Sequence, residues 1–263
     1  MKLNMYIPVR DETNYMINLY QYLFNKYWDD NIQVYFLGYS TPQFKLEKNI
    51  HFISLAEKRD PSPNSWSNGI IDYFESIEDE YFHFSLEDLL IIRPVDLELI
   101  ERAKEMMGPS VGRIDLWNSV QFGHRYLPQS VETHGGIVFA KEDQNPPPRV
   151  YRISCSNSIW NRKWFLKTLE RDWSAHCWET KGNDGRNNND GYDVLTTIDR
   201  WTPSVVHALS GKTWGNRVNI DGMLPDDRDE LSRRAESMAI PIHFFEFKRF
   251  NQVINLRGYQ PRE

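Results

Sequence analysis

Apolar runs of strand length alternate with helical patterns in the first part of the chain. Residues 2–8 (KLNMYIP) form one such run, and residues 32–37 (IQVYFL) and 51–55 form two more. Between the first two runs, residues 13–27 carry apolar side chains three and four positions apart, namely Met16, Leu19, Tyr20, Leu23 and Phe24. This spacing predicts an amphipathic helix, with Asp11 or Thr13 as its N-terminal cap.

The alternation continues to residue 86. Residues 66–77 repeat the helical spacing, and residues 80–86 (EYFHFSL) form an aromatic-rich run bounded by charges. The pattern predicts an α/β fold with a mostly parallel central sheet flanked by helices on both faces. Ligands of such sheets bind beyond the carboxyl ends of the strands. We therefore expect residues 8–12 and 86–88, which follow two of the strands, to share one site.

The second half of the chain is less regular. Residues 94–107 predict a helix, because a proline opens the segment and a glycine follows it. Residues 135–140 predict a strand, and residues 158–170 (SIWNRKWFLKTLE) predict a helix. The Gly/Asn/Asp-rich segment 181–193 is typical of a solvated loop. No linker or repeat divides the sequence, so we expect a single domain over residues 1–263.

Composition narrows the functional classes. The net charge of −6 argues against a protein that binds chiefly through nucleic-acid phosphates, so nucleic acid is not an expected partner. Aromatic residues make up 14% of the chain, and such rings often line clefts that bind a sugar or a base. Cys155 and Cys177 lack a zinc-type spacing, which favours two free thiols in a cytoplasmic protein. The first apolar run is too short for a signal peptide or a membrane span.

The strongest chemical signal is the pair Glu87-Asp88 directly after an apolar run. Two adjacent carboxylates repel each other unless a cation offsets their charge. Magnesium or manganese prefers such hard oxygen ligands and bridges them to a diphosphate. An acidic helix start is the simpler alternative, since carboxylates favour helix N-termini.

Two longer stretches carry a family resemblance. Residues 65–96 (SWSNGIIDYFESIEDEYFHFSLEDLLIIRPVD) resemble a bacterial and phage group of glycosyltransferase-like proteins with the GT-A fold. In that group a Trp-containing helix leads into a strand that ends in an acidic pair. Residues 151–182 (YRISCSNSIWNRKWFLKTLERDWSAHCWETKG) resemble the group's Ile-Trp helix followed by a Trp-Glu pair. The resemblance implies a GT-A-like glycosyltransferase domain.

Shorter matches extend the resemblance to residues 3–215. They are the first strand with its Pro-x-Arg ending and the segment Gly211-Lys212-Thr213-Trp214. A strict Asp-x-Asp metal motif is absent, because Leu86, Glu87 and Asp88 hold its positions. By the same resemblance, residues 1–107 form the nucleotide-sugar-binding half, and residues 108–263 form the acceptor-side half and C-terminal tail.

The resemblance also implies a role for each matching position. The donor-binding residues are Pro8, Arg10, Glu12, Arg59, Trp66, Glu87 and Lys212. The ligands of Mn²⁺ or Mg²⁺ are Asp88, Glu87 and His207, and the acceptor-binding residues are Trp160 and Trp178. The catalytic residues are Asp88 and Glu179, and Glu179 is the general base of an inverting transfer, with Asp172 and Asp184 as alternatives.

The sequence thus predicts transfer of a sugar from a nucleotide-diphosphate sugar to a glycan or another hydroxylated acceptor. A non-catalytic nucleotide-sugar or glycan-binding module on the same fold is the first alternative, since the metal motif is degenerate. A nucleotidyltransferase is a second, although the first loop (PVRDETN) lacks the glycines such enzymes use. A DNA-modifying glycosyltransferase is a third, disfavoured by the acidic charge.

Overall fold

A computed structural model gives the fold of most of the chain. It describes residues 3–56, 65–116, 128–142, 152–183, 187, 189–198, 200, 202, 217–220, 222–238 and 242–245. The helices are α1 (Met16–Tyr27), α2 (Trp66–Ser76), α3 (Leu97–Met106), α4 (Arg162–Thr168), α5 (Ala175–Lys181) and α6 (Pro225–Ser237). The strands are β1 (Met5–Pro8), β2 (Val34–Gly38), β3 (Ile50–Ser54), β4 (Tyr81–Phe84), β5 (Val111–Asp115), β6 (Pro128–His134), β7 (Ile137–Glu142), β8 (Ser158–Asn161), β9 (Asp193–Thr197), β10 (Arg217–Asn219) and β11 (His243–Phe245).

Nine of these strands form one sheet in the order β3-β2-β1-β4-β8-β5-β9-β7-β6. Within it, β1 pairs in parallel with both β2 and β4, and β5 pairs in parallel with β9. Strand β8 lies antiparallel between β4 and β5, and β7 runs antiparallel to β9 and β6. All but β7 and β8 therefore point the same way. The predicted α/β fold with a mostly parallel central sheet is confirmed.

Helices cover both faces of this sheet. Strand β1 shows why, because Met5 and Ile7 point into one apolar cluster while Tyr6 points into the other. The first cluster takes in α1, α3 and α6, and the second takes in α2, α4 and α5. Both clusters are fully buried over most of their members, so each helix presents an apolar stripe to the sheet. None of the helices in these ranges combines the length and apolar character needed to cross a membrane.

The register of β1 places the loops that matter for function. Met5 and Tyr6 pair with His83 and Phe84 of β4, and Pro8 pairs with Leu37 of β2. Since these strands are parallel, the segments that follow them leave the sheet at the same edge. Residues 8–12 and 86–88 lie at that edge.

The helix predicted over residues 158–170 is wrong in its first turn. Residues 158–161 form strand β8, and the helix begins only at Arg162. All four strand residues are buried, because β8 lies in the middle of the sheet with helices on both faces. A short strand that is apolar on both faces cannot be distinguished from a buried helix by periodicity. The Asn161 side chain marks the change by accepting a hydrogen bond from the N–H of Trp164.

Parts of the segment predicted as a solvated loop are buried. The Asn183 side chain accepts from the N–H of Ile153 at 2.8 Å and donates to its carbonyl at 2.9 Å. The Asn187 amide donates to the carbonyl of Gly182 at 2.8 Å, and both asparagine side chains are buried. These amides satisfy backbone groups that have no strand partner, which explains an Asn-rich sequence in the interior.

A buried carboxylate attaches α6 to α1. Asp227 is fully buried and accepts hydrogen bonds from Lys26, Tyr27 and Tyr22, the last at 3.0 Å. Removing this carboxylate would leave Lys26, Tyr22 and Tyr27 without their shared acceptor, which lowers the free energy of unfolding.

We predict that Asp227→Ala lowers the free energy of unfolding by about 3 kcal/mol. The neighbouring Asp226 is exposed in the same helical turn, so Asp226→Ala is the matched control and is expected to cost less than about 1 kcal/mol. Chemical denaturation of both variants measures the difference. Equal losses in the two variants would contradict the role given to Asp227.

Candidate active site

A cavity of about 290 Å³ lies at the carboxyl edge of β1, β2, β3 and β4. Its apolar lining comes from the ends of these strands and from α2, and consists of Val9, Leu37, Leu55, Ile70 and Leu86. The predicted site residues that line it are Pro8, Arg10, Trp66, Glu87 and Asp88. The sheet thus brings together a guanidinium group, an indole ring and two carboxylates from three separate segments of the chain.

Glu87 is a buried carboxylate at this cavity, and its pKa is shifted. Its side chain is buried, and Thr13 Oγ1 donates a hydrogen bond to Oε1 at 2.8 Å. Burial, and then the negative charge of Asp88, raise the pKa of Glu87 to about 7, while the Thr13 hydrogen bond and Arg10 act in the opposite direction. Asp88 is half-buried beside it. A cation at this position would relieve the repulsion between the two carboxylates.

Thr13 does not cap a helix, contrary to the interpretation of its position in the sequence. Residues Asp11–Thr13 form a 3₁₀ turn, and α1 starts at Met16 without a side-chain cap. The Thr13 hydroxyl lies within 3.1 Å of the Arg10 carbonyl as well as 2.8 Å from Glu87. It therefore connects the loop after β1 with the loop after β4.

The tryptophans of the site divide between its wall and the core. Trp66 is half-buried at the cavity, and its ring centroid lies 5.7 Å from that of Trp178. Trp178 and Trp160 have no exposed surface, and the indole N–H of Trp178 donates to Thr168 Oγ1 at 3.0 Å. The structure places both rings in the second apolar cluster, where Trp178 packs against Trp66 and neither ring offers a face to an acceptor.

Glu179, the predicted base, lies on α5 and is half-buried. Its Oε1 accepts hydrogen bonds from the N–H of Cys155 at 2.7 Å and from Ser154 Oγ at 3.2 Å. Burial raises the pKa of the Cys155 thiol well above its ordinary value, and the charges of Glu179 and then Asp88 add to the increase. Both carboxylates are thus within electrostatic reach of one thiol, although Glu179 is not part of the cavity wall.

The remaining predicted residues fall elsewhere. Glu12 is exposed and lines a second cleft with Tyr15 and Phe44. Arg59, Asp184, His207 and Lys212 lie outside the described residues.

The predicted metal site has two carboxylates in the described residues. Among the residues that the structure describes, no three His, Cys, Asp or Glu side chains are grouped to hold an ion. Glu87 and Asp88 supply hard oxygen atoms, which fits an ion that takes its other ligands from water and a bound diphosphate. Mg²⁺ and Mn²⁺ remain the predicted ions.

Similar solved structures include S. aureus TarS, a galactosyltransferase and a synthetase. S. aureus TarS (1–349) has 15% identity and a TM-score of 0.47, with 97% of this chain and 69% of that one covered. Galactosyltransferase LgtC, in complex with donor and acceptor sugar analogs, has 12% identity and a TM-score of 0.41, with 73% of each chain covered. CMP:2-keto-3-deoxy-manno-octonic acid synthetase, complexed with CTP, has 12% identity and a TM-score of 0.42, with 78% and 93% covered.

No protein-family model matches the chain, and no curated protein is significantly similar to it. Identities and TM-scores this low carry no conclusion about the reaction.

The raised pKa of Glu87 predicts a pH-dependent cost to stability. Between pH 4.5 and 7 the folded protein retains a proton that the unfolded chain has lost, so stability falls as the pH rises through this range. Glu87→Gln removes this cost. We expect the change that it causes in the free energy of unfolding to be more stabilising at pH 8 than at pH 4.5, by up to about 3 kcal/mol.

Urea unfolding at the two pH values measures the difference. The control is Glu78→Gln, which changes an exposed carboxylate just before β4 and so relieves no burial. A Glu87→Gln effect of the same size at both pH values would show that Glu87 ionises normally.

Proposed function

We propose that this protein is a glycosyltransferase that binds a nucleotide-diphosphate sugar in the cavity at the carboxyl edge of β1–β4. The observation that carries the proposal is the meeting of Arg10, Trp66 and Glu87-Asp88 around one cavity. The family resemblance of residues 65–96 and 151–182 supports it, since these stretches supply α2, the acidic pair and α5.

Each wall of the cavity suits one part of such a donor. The Arg10 guanidinium donates paired hydrogen bonds, the geometry that phosphate oxygens accept. The Trp66 ring and the apolar lining offer a surface on which a base or a sugar can stack. Asp88, with Glu87, would hold Mg²⁺ or Mn²⁺ against the diphosphate. When bound, such an ion stabilises the negative charge of the leaving nucleoside diphosphate.

The proposed reaction is an inverting displacement at the anomeric carbon. The acceptor hydroxyl oxygen forms the new bond to this carbon, and the bond to the diphosphate oxygen breaks, leaving its electron pair on the nucleoside diphosphate. The hydroxyl proton passes to the Glu179 carboxylate, which acts as general base. The hydrogen bonds from Cys155 and Ser154 fix the orientation of this carboxylate. The acceptor is a glycan or another hydroxylated molecule.

Titration calorimetry tests donor binding. Uridine, guanosine, cytidine and thymidine diphosphates are titrated with and without Mn²⁺, followed by hydrolysis assays with the matching nucleotide sugars. We expect one base to bind, more tightly with Mn²⁺, and its sugar nucleotide to be turned over. Absence of both binding and hydrolysis across the panel would refute the glycosyltransferase, whereas binding without turnover would indicate a non-catalytic module.

Two substitutions separate the proposed roles of the carboxylates. We expect Asp88→Asn to abolish the Mn²⁺-dependent part of binding, with the exposed Asp30→Asn as its control. We expect Glu179→Gln to retain donor affinity and to lower the transfer rate by about 10²- to 10⁴-fold, with the exposed Glu170→Gln as its control. Full activity of Asp88→Asn would exclude a metal there, and full activity of Glu179→Gln would exclude this base.

A further inference from the structure

A set of hydrogen bonds joins the first turn of α2 to the segment that precedes α5. The side chain of Asn68 donates to Asp172 Oδ1 at 2.9 Å, and the backbone N–H of Asp172 donates to Asn68 Oδ1 at 2.9 Å. Next to this pair, the N–H of Ser67 donates to the carbonyl of Trp173 at 3.0 Å, and the N–H of Trp173 donates to Ser67 Oγ at 2.9 Å. We call these four residues the α2–α5 clamp.

The clamp lies between the two sides of the proposed active site. On α2 it directly follows Ser65 and Trp66, which line the donor cavity. On the other side it ends two residues before Ala175, which also lines the cavity and begins the helix that carries Glu179. The two sides are about a hundred residues apart in sequence, and the clamp joins them directly.

The backbone at Asp172 is adapted to this contact. Asp172 has a φ of 63°, in the left-handed region that most side chains avoid. Asp and Asn adopt this region more readily than other non-glycine residues. The conformation turns the Asp172 N–H and carboxylate toward Asn68 in a reciprocal pair, and an ion pair between Arg171 and Asp72 at 2.6 Å lies beside it.

We infer that the α2–α5 clamp sets the position of Glu179 relative to the donor cavity, with Asn68 and Asp172 as positioning residues. The inference rests on the proposed function for its catalytic consequence. A displacement of about 1 Å between a base and its substrate costs about 10²-fold in rate. Of the proposed donor-binding side chains at the cavity, Arg10, Glu87 and Asp88 lie in the loops after β1 and β4, outside the clamp, and only Trp66 lies next to it. Opening the clamp should therefore reduce kcat and leave the donor Kd nearly unchanged.

A double-mutant cycle at Asn68 and Asp172 tests this. Asn68→Asp removes the amide donor and sets two carboxylates against each other, so we expect kcat to fall about 10- to 100-fold. Asp172→Asn keeps an acceptor for Asn68 and tolerates the same φ, so we expect kcat close to that of the wild type. In the double variant the carboxylate at position 68 accepts from the amide at 172 and from its backbone N–H, and kcat should recover. The donor Kd should stay within about twofold throughout.

A thiol-labelling experiment detects opening of the clamp without measuring enzyme activity. Cys155 is buried and its N–H is held by Glu179 of α5, whereas Cys177 on α5 is half-exposed. With an aromatic disulfide reagent, we expect Cys177 to react in every protein and Cys155 to react about tenfold faster in Asn68→Asp than in the wild type or the double variant. Asn68→Ala, which opens the clamp without an added charge, should also speed Cys155 labelling and covers the case in which Asn68→Asp fails to fold.

The outcomes separate the clamp from the proposed function. If the wild-type protein neither binds nor turns over a donor, the glycosyltransferase proposal is refuted. The Cys155 labelling rates then test the clamp independently of activity. Equal Cys155 labelling in all variants, or full kcat in Asn68→Asp, refutes the clamp. Loss of activity in Asp172→Asn that the second substitution does not restore would make Asp172 itself a catalytic residue, which also overturns the inference.

Discussion

The parallel pairing of β1 with β2 and β4 is the constraint on which the candidate site depends. It fixes Tyr6 opposite Phe84, so the chain leaves the sheet toward Arg10 and toward Glu87 at the same edge. Glu87 and Asp88 are held close together there, because residues 89–92 of the loop between β4 and α3 are packed into the core. Charge is therefore concentrated at one partly dry edge, where an interaction with a ligand is stronger than in water.

The same packing that buries Glu87 also stabilises the site around it. Thr13 connects two loops through one hydroxyl, and the aromatic cluster below holds Trp66 in place through Trp178. Of the six tryptophans in the part of the chain that the structure describes, five are buried, namely Trp28, Trp160, Trp164, Trp173 and Trp178, and their rings pack in the core. The rings other than Trp28 give rigidity to the second face of the sheet, which carries both the donor wall and the proposed base.

Periodicity and the length of apolar runs predicted the elements from β1 through β4. The strand ends then predicted that Arg10, Glu87 and Asp88 share one site, whereas Trp66 was implied by the family resemblance. Periodicity missed β5, because Arg113 and Asp115 are buried there as an ion pair at 2.8 Å and make the strand look polar. The contacts of Thr13 with Glu87 and of Asn68 with Asp172 join residues 74 and 104 positions apart, and no local pattern encodes such pairs. These parts of the site required the tertiary structure.

A crystal structure of the protein grown with Mn²⁺ and a nucleoside diphosphate most directly tests the claim that the cavity is a donor site. We predict that the nucleotide lies between Arg10 and Trp66, with its diphosphate and the metal ion beside Asp88. Nucleotide bound instead in the second cleft, beside Glu12 and Phe44, would contradict it.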